Sequence, residues 1–162
     1  MRRIIPNIMT LLNLASGFLA IVFTLSQKFQ TAAIFMFASF VLDADGFVAR
    51  IFKAESKIGF QLDSLADVVS FGVAPAVFVY SLFQDITTLI IAACFVLAGA
   101  FRLARFNAFT SKVKGFVGMP ITMNGLIFPV IYFFNANETF TLIVMMVSIV
   151  LMLSNIHFKK VI

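Results

Sequence analysis

The chain has 162 residues, of which 62% are hydrophobic and only 12% carry a charge. Soluble domains are closer to half apolar, so this composition excludes an ordinary soluble protein. A net charge of +5 would suggest nucleic-acid binding in a soluble chain. In this apolar chain it instead indicates basic loops that orient helices and face anionic lipid headgroups, and no nucleic-acid partner is expected.

Apolar runs recur along the whole chain, each close to the roughly 20 residues that a membrane-spanning helix needs. They predict an all-α, polytopic integral membrane protein, a six-transmembrane-helix bundle that forms one domain over residues 1–162. The first run lacks a small-residue cleavage site, which predicts a retained helix rather than a removed signal peptide. The predicted helices are 8–26, 31–52, 64–84, 86–107, 119–136 and 139–157.

Positive charges are distributed asymmetrically about these six helices. Eleven of the twelve Lys and Arg residues fall on the side that holds both termini and the second and fourth connections, whereas Lys28 falls on the other side. Because cytoplasmic loops carry an excess of Lys and Arg, this pattern predicts that the N- and C-termini are cytoplasmic.

The most acidic stretch, DADGFVARIFKAESKIGFQLDSLAD at 43–67, lies at the same face. Asp43 and Asp45 come near the end of helix 2, and Asp63 and Asp67 share one face near the start of helix 3. Acids so placed are costly in an apolar chain, and intramembrane acids are usually functional. Since hard divalent cations prefer oxygen ligands, the four aspartates predict a site for two metal ions. Solvated acids paired with neighbouring basic residues are the less favoured alternative.

The residues around these acids form a longer pattern. DG at 45–46, AR at 49–50, Gly59, Asp63 and Asp67 resemble the signature of the CDP-alcohol phosphotransferase family. That signature reads D-x-x-D-G-x-x-A-R, eight residues, then G-x-x-x-D-x-x-x-D. PNIMTLLN, at the start of the chain, resembles the family's opening helix. The resemblance covers nearly the whole chain and implies a six-helix core, a homodimer, and transfer of a phospho-alcohol group from a CDP-linked donor with release of CMP.

The chain departs from this signature at its first aspartate. One residue, not two, separates Asp43 from Asp45, and Leu42 stands where the family has the acid. Positions two apart on a regular helix point to nearly opposite sides. Two explanations are open: a bulge or a tightened turn brings Asp43 back toward the metals, or the first ligand is lost and metal binding is weakened.

The resemblance also implies roles for individual residues. Asp45, Asp63 and Asp67 would hold two divalent ions, Mg²⁺ or Mn²⁺, with Asp43 as a further ligand. Asp67 would in addition be the catalytic base that takes the acceptor's proton. Contacts to the donor nucleotide would come from Gly46, Ala49, Arg50, Gly59, Asn7 and Thr10; helix capping and helix packing are the alternative roles of the last two.

A second informative stretch is GAFRLARFNAF at 99–109, where Arg102 and Arg105 share a helix face. Arginine binds carboxylate or phosphate with two parallel hydrogen bonds. RLARFN, followed by GFVGMPIT at 115–122, and DSLADVVSFGVAP at 63–75 resemble the phosphatidylserine synthase branch of the family. The resemblance implies CDP-diacylglycerol as donor, serine as acceptor, and Arg102 and Arg105 as acceptor-binding residues at a membrane-lipid surface.

Three other functions remain open from the sequence. A phosphatidylglycerophosphate synthase has an acceptor that carries phosphate, which favours a denser basic cluster. An ion-coupled transporter would place its acids at midmembrane, and the sequence shows them at one face and shows no inverted repeat. An inactive paralogue is supported only by the shortened spacing in LDADG.

Overall fold

The computed structural model describes residues 4–51, 57–109, 116–154 and 157–158, with side chains described within 7–44, 58–108 and 118–154. Nearly all of this part of the chain is helical. Two short strands, β1 (Phe116–Val117) and β2 (His157–Phe158), pair antiparallel. The helices are α1 Ile4–Leu25, α2 Phe29–Ile51, α3 Lys57–Asp67, α4 Ala74–Phe83, α5 Ile86–Phe109, α6 Asn124–Phe133 and α7 Glu138–Leu153.

A π-helical segment, Val68–Val73, joins α3 to α4 into one continuous helix. The six predicted helices therefore correspond to α1, α2, the α3–α4 unit, α5, α6 and α7. The π segment starts directly after Asp67 and packs tightly on α1: a Cβ added at Gly17 would lie 2.7 Å from Ser70 Cα. Such wider turns occur often at functional sites.

Three helical stretches are long and apolar enough to cross a membrane: Asn7–Leu25, Ile58–Phe83 and Ile86–Ala108. Shorter apolar helices cover Phe29–Ala44, Ile121–Phe133 and Glu138–Leu153. The count of six agrees with the number predicted from the apolar runs.

The bundle exposes apolar side chains and buries polar ones. Phe18, Leu97 and Val150 are each more than half exposed, whereas Asn13 and Ser39 are almost completely buried. Helices in membranes pack through small and polar residues because lipid already satisfies their apolar faces. This distribution is therefore the one expected for helices surrounded by lipid.

Several helix ends differ from those predicted, because hydropathy locates apolar runs and not polar terminal turns. The third helix begins at Lys57 rather than at residue 64, so Asp63 and Asp67 lie well inside it. The helix predicted over 119–136 is a 3₁₀ turn, Ile121–Met123, followed by α6. The last helix ends at Leu153 rather than at residue 157, since Ser154 has an extended backbone.

Side-chain contacts show which helix ends meet. Thr10, near the start of α1, contacts Asp63 on α3. Ser64 on α3 bonds to Asn107 near the end of α5, and Arg105 of the same helix contacts the end of α7. These termini form one end of the bundle, called the acidic end below.

Candidate active site

Three aspartates from two helices meet at the acidic end. Asp43 comes from α2, and Asp63 and Asp67 come from α3. One carboxylate oxygen of each lies within 4.8 Å of the other two. Asp67 is buried, with 7% of its surface exposed, and the other two are half-buried. Three hard oxygen ligands at this separation fit a divalent cation such as Mg²⁺ or Mn²⁺.

Asp43 reaches this cluster from an unbroken helix. The described backbone of α2 is α-helical from Phe29 to Ile51, without the bulge or tightened turn that the shortened spacing suggested. Asp43 thus lies with the other two acids, as the first explanation expected, but without the distortion, and its role as a metal ligand stays a prediction. The side chains of four other predicted site residues lie outside the described residues, so their roles stay predictions: Asp45, Gly46, Ala49 and Arg50.

Thr10 extends the cluster onto α1. Its Oγ1 donates to Asp63 Oδ1 over 3.4 Å, and the residue is 5% exposed. Asn7 lies about one turn earlier on α1 and is half-buried, and Gly59 is buried one turn before Asp63. Thr10 thus contacts one of the acids, and Asn7 and Gly59 lie one turn from Thr10 and from Asp63 along their own helices. Nucleotide binding by these three residues stays a prediction.

Arg102 is buried near enough to Asp67 for their charges to interact. It is only 5% exposed, and its guanidinium group interacts electrostatically with Asp67 and with Arg105. Its guanidinium carbon is 5.6 Å from the centre of the Phe106 ring, and its Nε has no hydrogen-bond partner among the described residues. A buried cation with a spare donor, next to a carboxylate, is a natural binding point for an anionic group.

Arg105 lies one turn further along α5 and has different partners. Its guanidinium nitrogens donate to the backbone oxygens of Leu153, Met152 and Ser154 over 3.2, 3.3 and 3.1 Å. The last carbonyls of a helix lack intrahelical partners, so Arg105 satisfies the end of α7. Acceptor binding by Arg105, expected from its face on the helix, stays a prediction.

Two polar residues near the cluster were not identified from the sequence. Asn107 Nδ2 donates to Ser64 Oγ over 3.0 Å and so ties α5 to the residue after Asp63. Asn13, about one turn beyond Thr10 on α1, is buried. Both residues are visible in the sequence as polar residues within apolar runs. Polar residues in such runs are costly to bury and are often functional.

Comparison with known proteins identifies the family to which the chain belongs. The sequence profile of the CDP-alcohol phosphatidyltransferase family matches residues 3–154. The chain belongs to this family. Family membership, together with the apolar helices, identifies it as an integral membrane protein.

The chain matches individual relatives over different shares of their length. It is 34% identical to an archaetidylserine synthase of Methanothermobacter thermautotrophicus, over 97% of the chain and 70% of that protein. It is 44% identical to a CDP-diacylglycerol–serine O-phosphatidyltransferase of Methanocaldococcus jannaschii, over 76% of the chain and 57% of that protein. The enzyme of the same name from Bacillus subtilis is 38% identical over 96% of the chain and 92% of its own length.

Proposed function

We propose that the protein transfers the phosphatidyl group of CDP-diacylglycerol to the hydroxyl of L-serine, giving phosphatidylserine and CMP. The observation that carries this proposal is the cluster of Asp43, Asp63 and Asp67 with the buried Arg102 beside it. The names of the three relatives above share serine as a component, although they differ in the lipid. Serine is therefore the acceptor that these similarities support best.

The donor set fits divalent cations. Asp43, Asp63 and Asp67, joined by Asp45, would hold two Mg²⁺ or Mn²⁺ ions, which prefer carboxylate and phosphate oxygens. When bound, the ions would neutralise the donor pyrophosphate and the charge that develops on the leaving CMP. Thr10 supports this arrangement, since its hydroxyl holds one oxygen of Asp63 in place.

The reaction needs a base and a binding point for the acceptor. In the proposed reaction Asp67 takes the proton of the serine hydroxyl, and the hydroxyl oxygen bonds to the donor phosphorus. The bond from that phosphorus to the CMP oxygen breaks, and CMP leaves with the electron pair. Arg102, beside Asp67, binds the serine carboxylate and so brings the hydroxyl close to the base.

The remaining assignments concern the donor and the membrane. The nucleotide pocket would be lined by Gly46, Ala49, Arg50, Gly59 and Asn7.

The bundle would span the membrane with six helices and with its acidic end at the cytoplasmic face. The excess of Lys and Arg on that side supports this orientation. The homodimer implied by the sequence resemblance stays a prediction.

The test is CMP release by the purified protein in detergent micelles. CDP-diacylglycerol is supplied with Mg²⁺ or Mn²⁺ and with serine, glycerol 3-phosphate or inositol phosphate as acceptor. Of the three acceptors, we expect only serine to support CMP release, and we expect chelation of the metal to abolish that release. Asp63→Asn should abolish release while the protein still melts cooperatively, whereas Asp85→Asn, the same change at the opposite end of the bundle, should leave it intact. Release with glycerol 3-phosphate alone, or release that needs no metal, would contradict the proposal.

A further inference from the structure

Asn13 has a buried side chain whose polar atoms are unpartnered. It is 1% exposed, and neither Oδ1 nor Nδ2 has a hydrogen-bond partner among the described residues. Buried amides in folded proteins nearly always have partners, because leaving them unpaired forfeits the hydrogen bonds that water offered. An amide kept at such a position calls for a partner that the protein itself does not supply.

The backbone around Asn13 locates it relative to the three acids. Its carbonyl oxygen accepts from Ser39 Oγ over 3.4 Å and from Ser70 Oγ over 3.1 Å. Ser39 comes four residues before Asp43 on α2, and Ser70 comes three residues after Asp67. Each serine therefore lies about one helical turn further from the acidic end than the aspartate on its own helix.

The same offset holds on α1. Asn13 follows Thr10 by three residues, and Thr10 contacts Asp63. Asn13 thus lies about one turn deeper in the bundle than Thr10 and Asp63, at about the depth of Asp67, which follows Asp63 by four residues. Side chains on a helix lean toward its N-terminus, which for α1 is the acidic end. The Asn13 side chain therefore leans toward the acidic end, on the helix face that it shares with Thr10.

We propose that Asn13 is a positioning residue for the divalent-cation site. Its Oδ1 accepts from a water bound to the cation, and its Nδ2 donates to a second water that bridges to a carboxylate oxygen. A neutral amide supplies both functions without changing the charge of the site. Partners of this kind hold metal ligands in orientation and raise affinity for the metal. The inference rests on the proposed function, because it assumes that the acids bind a divalent cation.

Asn13→Leu tests this role because leucine has a similar size and lacks both polar atoms. Mn²⁺ binding is measured by electron paramagnetic resonance on the full chain in detergent, without substrate. We expect the dissociation constant to rise about 10- to 100-fold. The melting temperature without metal should be unchanged or higher, since an unpartnered buried amide is removed. Thr24→Val is the matched control: Thr24 is buried on the same helix, bonds Ala20 O, and should leave Mn²⁺ affinity unchanged.

Parental Mn²⁺ affinity in Asn13→Leu would overturn the inference, and a lower melting temperature with parental affinity would assign Asn13 a structural role instead. If the leucine variant does not fold, Asn13→Ser gives the same readout, with weakened Mn²⁺ binding expected and parental affinity as the contrary result. A parent protein that binds no Mn²⁺ would contradict the metal site itself and with it the proposed function. Failure of the inference alone is distinct, because the parent then binds Mn²⁺ and Asp63→Asn abolishes that binding.

Discussion

Arg102 and Arg105 lie one turn apart on α5, yet their guanidinium groups contact different parts of the protein. Arg102 is buried beside Asp67, whereas Arg105 satisfies the backbone oxygens at the end of α7. Their spacing predicted a shared face and was uninformative about this division. Long arginine side chains reach several ångströms along a helix, so their contacts depend on neighbouring helices that the spacing does not describe.

We expect Arg102→Ala to raise the KM for serine more than the KM for CDP-diacylglycerol. Loss of a charge-assisted contact to the serine carboxylate should lower kcat/KM for serine about 10- to 100-fold. Steady-state kinetics with each substrate varied in turn measures both effects. Arg105→Ala is the comparison: we expect a lower melting temperature, and a rise in the KM for serine would show that Arg105 also binds the acceptor. An equal rise in both KM values for Arg102→Ala would remove the argument for serine binding by this residue.

The position of Asp43 illustrates what the sequence could not settle. The acids themselves, their spacing and their chemistry were readable from DADG and DSLAD, and two of the predicted ligands, Asp63 and Asp67, do meet in the structure. The rotation of α2 about its own axis, however, depends on packing against α1 and α6. The shortened spacing alone therefore left two explanations open, and the structure favours an unbroken helix that presents Asp43.

Helix α1 and the π-helical segment Val68–Val73 pack so closely that no room is left for a side chain at Gly17. A Cβ at Gly17 would lie 2.7 Å from the Cα and 2.8 Å from the Cβ of Ser70, so a backbone must shift to admit it. We expect Gly17→Ala to destabilise the protein by about 1–3 kcal/mol and to lower activity, because it moves α1 and with it Thr10. Thermal unfolding in detergent and CMP release measure these effects.

Gly72→Ala is the matched control for that prediction. Gly72 is also buried, yet an added Cβ would lie 3.7 Å from Ile121 Cδ1, an ordinary contact. This variant should keep parental stability and activity. Equal tolerance of both alanine variants would show that the backbones of α1 and the π segment have room for a Cβ at Gly17.

The connection between α4 and α5 contains an acid that caps a helix. Asp85 accepts from Thr87 N over 2.8 Å and from Thr88 N over 3.0 Å, as well as from the Thr88 hydroxyl. The Thr88 hydroxyl, followed by the Thr88 backbone N–H, lowers the pKa of Asp85 from 3.8 to about 2. Glu138, at the start of α7, also interacts with this carboxylate.

The lowered pKa of Asp85 sets the direction of a pH effect. The charged form is favoured in the folded state, so its stabilisation is complete above about pH 4 and declines as pH falls toward 2. We expect Asp85→Ala to lower the melting temperature at pH 7, and the difference from the parent to shrink below pH 4. Melting curves of both proteins across this range measure it. A difference that stays constant from pH 7 to pH 2 would show that the charge contributes nothing.

Some helix boundaries could be predicted from the sequence and others could not. The existence and order of six apolar helices follow from hydropathy, and the ends of the second and fourth agree to within about two residues, which is the usual uncertainty of such boundaries. The early start of α3 falls in KIGFQLD, which is not a continuous apolar run, and the end of α7 at Leu153 is where Arg105 contacts the last backbone oxygens. Such interactions between distant residues are not visible as a local pattern.

At the scale of the whole molecule, the contacts assign several termini to one end of the bundle. The start of α1, the end of α2, the start of α3 and the ends of α5 and α7 all approach the acidic end. This arrangement is the one that alternating helices predict, and it gathers the acids and Arg102 without any long connection. The sequence predicted this gathering through its charge distribution, since Lys and Arg fall almost entirely on one side.

We infer that Asp43 completes a working metal site although Leu42 stands where the family has an acid. Metal-dependent CMP release by Asp43→Asn, compared with the parent under saturating Mn²⁺ and serine, tests it most directly. We predict that turnover falls by at least about 100-fold with the fold retained. Because α2 presents residue 43 to the cluster, adding Leu42→Asp to that variant should not restore turnover. Near-parental turnover in Asp43→Asn, or full rescue by the acid at 42, would contradict the role of Asp43 as a metal ligand.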